Sequence, residues 1–138
     1  MTRIAKRALV TGAGRGIGAS IARCLAADGF AVVANDLAAG DDLDATVALI
    51  RERGGEAVAL PGDIARLDGH RALVDAAWSA FGGLECLVNN AGVSVERRDD
   101  LLKVTPESFD RLIAINLRGT FFLTQEVARR MVAAPAQG

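Results

Sequence analysis

The chain has 138 residues, of which 16 are Lys or Arg and 17 are Asp or Glu, giving a formal net charge of −1. That length fits a single domain with a proper core, residues 1–138, and the balanced charge excludes a nucleic-acid or membrane-surface footprint. No uncharged apolar stretch approaches the roughly 18 residues of a membrane-spanning helix. Met1-Thr2-Arg3 leads so directly into the first apolar run that no signal peptide is expected, and a cytoplasmic protein is the expectation. Cys24 and Cys86 lack metal-ligand spacing and read as reduced core thiols, so no metal site is expected.

Ala8-Leu9-Val10 is a compact apolar run suited to a buried parallel strand. Thr11-Gly12-Ala13-Gly14-Arg15-Gly16-Ile17-Gly18 follows, and then Ile17, Ile21 and Leu25 recur at helical spacing, with Ala22 and Ala26 beside them. A strand turning sharply into a helix needs residues that lack a Cβ and tolerate unusual backbone angles, which Gly12, Gly16 and Gly18 supply. The unpaired N–H groups and positive dipole end of the helix then suit a pyrophosphate. The spacing is neither G-x-G-x-x-G, because position 17 is Ile, nor a Walker A loop, because no Gly-Lys-Ser/Thr follows.

Asp28-Gly29 stops this helix, and Phe30-Ala31-Val32-Val33-Ala34 forms a second strand running into Asn35-Asp36. Asp36 stands where an acidic residue after the second strand reaches the adenosine ribose. Its carboxylate would accept from the ribose hydroxyls and repel a 2′-phosphate, which favours NAD over NADP. Arg15 argues weakly the other way, because a guanidinium pairs with phosphate. A second helix is expected over Asp41 to Arg53 with Leu43, Val47 and Ile50 inward. A third strand follows at Ala57-Val58-Ala59-Leu60, closed by Pro61-Gly62. Asp63-Ile64 then falls at the carboxyl edge of the sheet, where such folds place ligands, although Asp63 equally suits a turn or cap.

A third helix runs from about Asp68, its expected cap, to Phe81, with Leu73, Ala76, Ala77 and Ala80 inward and Gly82-Gly83 ending it. His70 and Trp78 read as packing or surface residues. The fourth strand, Leu84 to Val88, delivers Asn89-Asn90-Ala91-Gly92 to the same sheet edge, where amides bridge strand ends and Ala-Gly lets a flat ring approach. Ser94 to Lys103 is a charged, solvated loop. Thr105-Pro106-Glu107 starts a last helix carrying Phe109, Leu112, Ile113, Leu117, Phe121 and Leu123 towards Met131-Val132. Asn116 interrupts its apolar face, which predicts a buried polar role or a local kink.

Together the T-G-x-x-x-G-x-G turn, Asn89-Asn90-Ala91-Gly92 and Ile115-Asn116-Leu117-Arg118-Gly119 resemble the short-chain dehydrogenase/reductase family. The resemblance implies an α/β, Rossmann-type doubly wound parallel sheet of strand order 3-2-1-4, with helices on both faces. It implies an NAD(P) cofactor held by Thr11, Gly12, Gly14, Arg15, Gly16, Ile17, Gly18, Asp36, Asn90, Ala91 and Gly92. Asp63 and Ile64 would touch the adenine. Asn116 would belong to the catalytic tetrad, holding a water for proton relay. The reaction implied is hydride transfer between nicotinamide and a small-molecule carbonyl/alcohol pair. The loop and last helix look like those of 3-oxoacyl-acyl-carrier-protein reductases and small polyol dehydrogenases. The last helix is expected to pack on a second subunit.

The resemblance spans about the first half of a family member, so the sheet is incomplete relative to the family. The fifth-strand Ser and the Tyr-x-x-x-Lys helix have no counterpart here. The sequence contains no tyrosine, its only lysines are Lys6 and Lys103, and none of Ser20, Ser79, Ser94 or Ser108 takes the serine's place. Two readings follow: the cofactor half of an NAD-dependent oxidoreductase, and a non-catalytic NAD-binding module lacking the proton-donating Tyr.

Overall fold

The computed structural model describes residues 6–135; the lead-in Met1-Thr2-Arg3 and the end at Ala136-Gln137-Gly138 lie outside them. Four parallel strands, β1 (Arg7–Val10), β2 (Ala31–Asp36), β3 (Ala57–Pro61) and β4 (Cys86–Val88), form one sheet in the order β3-β2-β1-β4. Helices α1 (Gly16–Ala27), α2 (Asp41–Glu52) and α3 (His70–Phe81) connect them in turn. A last helical run follows, made of α4 (Pro106–Ile113), a π-helical segment (Ala114–Gly119) and α5 (Thr120–Ala133). The Rossmann-type order 3-2-1-4 is the one the family resemblance implies.

Strand alternation explains the two layers of core. Leu9 and Val33 point to one face, where they pack with Leu73, Val74 and Ala77 of α3 and Leu123 and Val127 of α5. Val10, Val32 and Ala34 point to the other, against Ala22 of α1 and Leu43, Val47 and Ile50 of α2. Successive strand residues face opposite sides, so a doubly covered sheet needs apolar residues at every position. Ala8-Leu9-Val10 and Val32-Val33-Ala34 meet that requirement and are fully buried.

Several local expectations are corrected. Ile17 is 75 % exposed, because the buried row of α1 is Gly18, Ala19 and Ala22; small residues let the helix close on the sheet, and Ile17 is turned outward. The same phase leaves Cys24 exposed, and Cys86 on the edge strand is only half-buried, so neither is a core thiol. Asp68 caps nothing: it lies in a 3-10 turn, Leu67–Gly69, pairs with Arg66, and α3 begins at His70 behind an uncapped Gly69. His70 is buried, with Nε2 2.7 Å from Ile64 O, which makes it a satisfied packing histidine. Val74, not Ala76 or Ala80, shares the inward face of α3 with Leu73 and Ala77. β4 is shorter than predicted, although Leu84 is buried in the core ahead of it.

The lower end of the sheet is tied by one ion pair. Arg7 Nε and the Arg7 backbone N–H both donate to Glu85 Oε2 at 3.0 Å, Arg7 Nη2 pairs with Oε1, and Nη1 donates to Phe81 O at 3.2 Å. Hydrogen bonds from the guanidinium hold the Glu85 carboxyl below its ordinary value of 4.5, against partial burial that raises it. A depressed folded-state pKa adds stability that is present above the ordinary carboxylate range and lost as pH falls through the folded value. We expect Glu85→Gln to cost about 1 kcal/mol near neutral pH, a bidentate pair discounted for partial exposure. Urea unfolding at about pH 7 and about pH 3 checks this, because the deficit closes at the lower pH. An equal deficit at both would mean that shape, not charge, holds the tie.

Candidate nucleotide site

The upper ends of β1 and β4 are locked together by side chains that the sequence places in the glycine turn and its partner motif. Thr11, fully buried, accepts through Oγ1 from the N–H groups of Asn90 (3.1 Å) and Ala91 (3.0 Å) and donates to Val88 O at 3.4 Å. Asn90 Nδ2 answers by donating to Thr11 O (3.1 Å) and Gly12 O (3.0 Å). The amide therefore sits under the turn and closes it. Gly12, at φ +63°, has space only for a hydrogen, because a Cβ would lie 2.9 Å from Ala91 Cα. A Cβ on Gly18 would overlap both Gly12 O and Asn90 Nδ2. The spacing of these two glycines is thus a packing requirement of the turn itself.

Above this lock the turn opens into a cleft of about 510 Å³, within the usual range for small-molecule sites. Gly12, Arg15, Gly16, Ile17 and Gly18 form one wall, Asp36 and Leu37 the end of β2, Asp63 and Ile64 the end of β3, and Asn90 to Val93 the end of β4. Arg111 and Ile115 reach it from the last helix. Of the predicted residues, the structure brings all but Thr11, Gly14 and Asn116 to the cleft wall. Thr11 and Gly14 are buried just behind it. The outward turn of Ile17 that departs from a core stripe is what places its side chain here.

No side chain caps α1, whose N-terminus begins at this wall, so its first-turn N–H groups are left for an outside acceptor. A Cβ on Gly16 would meet nothing within 4 Å, so the backbone there is open to a close ligand. Asp36 Oδ2 accepts from Gly14 N at 2.9 Å and Oδ1 from Leu37 N at 2.8 Å. A carboxylate has about four acceptor positions, so two bonds leave it able to take hydroxyl donors. Asp63 Oδ1 accepts from Ala65 N at 2.9 Å, the turn geometry that its sequence position allows. Uncapped N–H groups, a shallow backbone wall and an acceptor one strand away fit a nucleotide that carries a pyrophosphate.

Asn116 lies in the π-helical segment, a local departure from α-helical hydrogen bonding within the last helical run. It is not on a buried face. Its Oδ1 accepts from Val93 N and its Nδ2 donates to Val93 O, both at 2.8 Å, so the amide fixes the chain just past Gly92. A Cβ on Gly92 would stand 3.3 Å from that Oδ1.

Two residues that sequence reasoning passed over shape the same wall. Buried Asn35 donates through Nδ2 to Leu60 O (2.9 Å) and Gly62 O (3.2 Å), while its own carbonyl accepts from Ala13 N at 2.8 Å. Buried Thr46 reaches the turn from α2. The available signal was a polar residue at a position that strand or helix phase turns inward.

Comparison with known proteins places these features. The short chain dehydrogenase family model matches residues 6–138. The chain is 40% identical over 126 residues to an uncharacterized oxidoreductase of Methylorubrum extorquens, covering 91% of this chain and 50% of that protein. It is 37% identical over 131 residues to a 3-oxoacyl-[acyl-carrier-protein] reductase of Staphylococcus aureus, covering 94% and 52%. Among solved structures, the 3-oxoacyl-[acyl-carrier protein] reductase of Brucella melitensis in complex with NAD superposes with a TM-score of 0.91 at 43% identity. That match covers 99% of this chain and 53% of the other. The chain therefore spans about half the length of the relatives it matches. Since the match runs through every strand end that builds the cleft, the chain belongs to the short-chain dehydrogenase family.

Proposed function

We propose that residues 1–138 form a single nucleotide-binding domain that holds NAD in preference to NADP, as the cofactor half of an oxidoreductase. The family consists of oxidoreductases that use a nicotinamide cofactor. The observation that carries the proposal is the uncapped N-terminus of α1 opening onto the cleft beside Asp36. In this reading the N–H groups after Arg15 hold the pyrophosphate, and Asp36 accepts from the ribose hydroxyls. Asp63 and Ile64 border the adenine. Asn90, Ala91 and Gly92 shape the floor, with the Asn90 amide acting through the backbone of Thr11 and Gly12. When bound, NAD supplies the hydride acceptor or donor at nicotinamide C4.

The charge around Asp36 supports NAD. Arg15 borders a recess also lined by Asp36, Asp41 and Asp42, and that concentration of acidic residues disfavours a 2′-phosphate. On the other side, Asn116 holds Val93 and in this reading acts as the family's proton-relay asparagine. The substrate is a carbonyl/alcohol pair, with 3-oxoacyl-carrier reduction as one analogy. The exposed Phe109, Leu117 and Phe121 support association of like subunits through the last helical run. Among the described residues no helix is long and apolar enough to cross a membrane, and a cytoplasmic location is part of the proposal.

A second reading is favoured by one composition fact: the sequence holds no tyrosine. In that reading the chain binds NAD and contributes no proton donor of its own.

Calorimetric titration with NAD and NADP tests the proposal. We expect saturable binding with NAD preferred, and Asp36→Ala to weaken NAD by roughly tenfold while narrowing the preference, the loss of a charge-assisted hydrogen bond. Unchanged discrimination in Asp36→Ala would show that Asp36 does not read the ribose.

A further inference from the structure

We propose that Thr46 is a positioning residue for cofactor discrimination, acting on Asp36 through the peptide between Ala13 and Gly14. The inference rests on the reading of Asp36 as the ribose acceptor. Thr46 lies in the second turn of α2, is 4% exposed, and stands in the same inward row as Leu43, Val47 and Ile50. Its Oγ1 lies 3.0 Å from Ala13 O, 3.2 Å from Gly14 O and 3.2 Å from Asp42 O. Asp42 O is the carbonyl one turn back along the same helix, a bond that buried helical threonines often make. The other two acceptors belong to the glycine turn, 33 and 32 residues away in sequence. The hydroxyl has one proton to share among them, and Ala13 O is the nearest acceptor.

Ala13 O and Gly14 N are the two polar ends of one peptide unit. Thr46 holds the carbonyl end, and Asp36 Oδ2 accepts from the N–H end at 2.9 Å. A planar peptide transmits orientation, so fixing its oxygen fixes the direction in which its N–H is offered. That N–H then selects the rotamer of Asp36, whose other oxygen is taken by Leu37 N at 2.8 Å. Ala13 N is anchored to Asn35 O at 2.8 Å, which holds the preceding peptide in place. Gly14 is buried, and a Cβ there would overlap Asp36 Oδ2, so carboxylate and peptide meet with no slack. Without the hydroxyl, the Ala13 carbonyl loses its buried donor and the peptide is free to rotate. Asp36 would then point its charge less reliably at the position of a 2′-substituent.

The test compares Thr46→Val, close in volume but without the hydroxyl, with Thr46→Ser, which retains it. Dissociation constants for NAD and NADP are measured by calorimetry on the 138-residue chain, with circular dichroism to monitor folding. We expect Thr46→Val to lower the NAD-to-NADP affinity ratio by about fivefold, the effect of one hydrogen bond. Thr46→Ser should keep the ratio within about twofold of the unmodified chain. In an Asp36→Ala background, Thr46→Val should leave the ratio where Asp36→Ala alone puts it, because the two act in series.

Equal weakening of both cofactors by Thr46→Val, or an unchanged ratio, overturns the inference and leaves the assignment of Asp36 standing. If Thr46→Val does not fold, Thr46→Ala replaces it under the same criteria. Failure of the unmodified chain to bind either cofactor overturns the nucleotide reading itself, and the role of Thr46 with it. The two failures therefore show in different proteins.

Discussion

Gly18→Ala should destabilise the chain by about 3 kcal/mol, near the top of the range for overpacking a filled site. Helix propensity points the opposite way, since Ala is favoured over Gly by about 1 kcal/mol in a helix interior. Sterics win because the two groups that a Cβ would overlap, Gly12 O and Asn90 Nδ2, are bonded to each other at 3.0 Å. The methyl has to break that bond or lift α1 off the strand ends. The expected fall in Tm is roughly 10 °C for a domain of this size. Nucleotide binding should be lost as well, because the N-terminus of α1 moves with Gly18. Gly16→Ala is the control: nothing lies within 4 Å of its Cβ, so the cost is only the left-handed backbone at φ +57°, about 1 kcal/mol. Thermal melts of the two variants should separate them clearly. Equal losses would mean that backbone angle, and not the wedge against Asn90, sets the glycine requirement.

The strands and turns were legible because strand periodicity and turn glycines are local signals, whereas the order 3-2-1-4 came from the family resemblance. Leu9 and Val10 had to face opposite covered sides, and only helices on both faces can cover them. The phase of a helix on the sheet is less local. Ile17, Ile21 and Leu25 offered the more apolar stripe; Ile21 and Leu25 pack at the margin of the core, but Gly18 and Ala22 took the buried row because close approach to the strand ends needs small residues. Distance of approach is set by the partner strand, which the helix sequence does not contain. Asp68 is a similar case: a capping residue stood in place, but the 3-10 turn and the buried His70–Ile64 bond start α3 two residues later.

At the site, residue types were legible and their partners were not. Asn116 was marked by being polar in an apolar run, which implied a buried polar role or a local kink; it is exposed, and it lies in the π-helical segment. Its partner, Val93, lies 23 residues away in a loop, and no helical pattern encodes that bond. Asn90 was read as a bridge between strand ends, and the structure gives it the carbonyls of Thr11 and Gly12. Thr46 left a fainter trace, as a hydroxyl where Leu43, Val47 and Ile50 set an apolar row. Such a residue reads as tolerated packing until the glycine turn is seen against it.

Asn90→Asp should be more damaging than Asn90→Ala, although it changes the shape far less. Removing the amide costs the two bonds to Thr11 O and Gly12 O, and we expect about 2 kcal/mol for Asn90→Ala. Asn90→Asp instead aims an acceptor-only carboxylate at two carbonyl oxygens that now lie 3.1 and 3.0 Å from Nδ2. Like partial charges then face each other beside the buried Thr11, and the expected loss near neutral pH is about 4 kcal/mol, the scale of an unpaired charge at a partly buried site. The introduced acid is neutral in its favoured folded form, so its folded-state pKa is raised above the unfolded one. Its penalty is therefore small at low pH and grows as pH rises through the unfolded value. A protonated carboxyl can donate to one of the two carbonyls and partly restores the bridge. The difference in stability between Asn90→Asp and Asn90→Ala should accordingly close, or change sign, between about pH 7 and about pH 4. Taking the difference between the two variants cancels the acid sensitivity they share, including that of Glu85. A gap that does not move with pH would place the amide's contribution in its shape and remove Asn90 from the lock between β1 and β4.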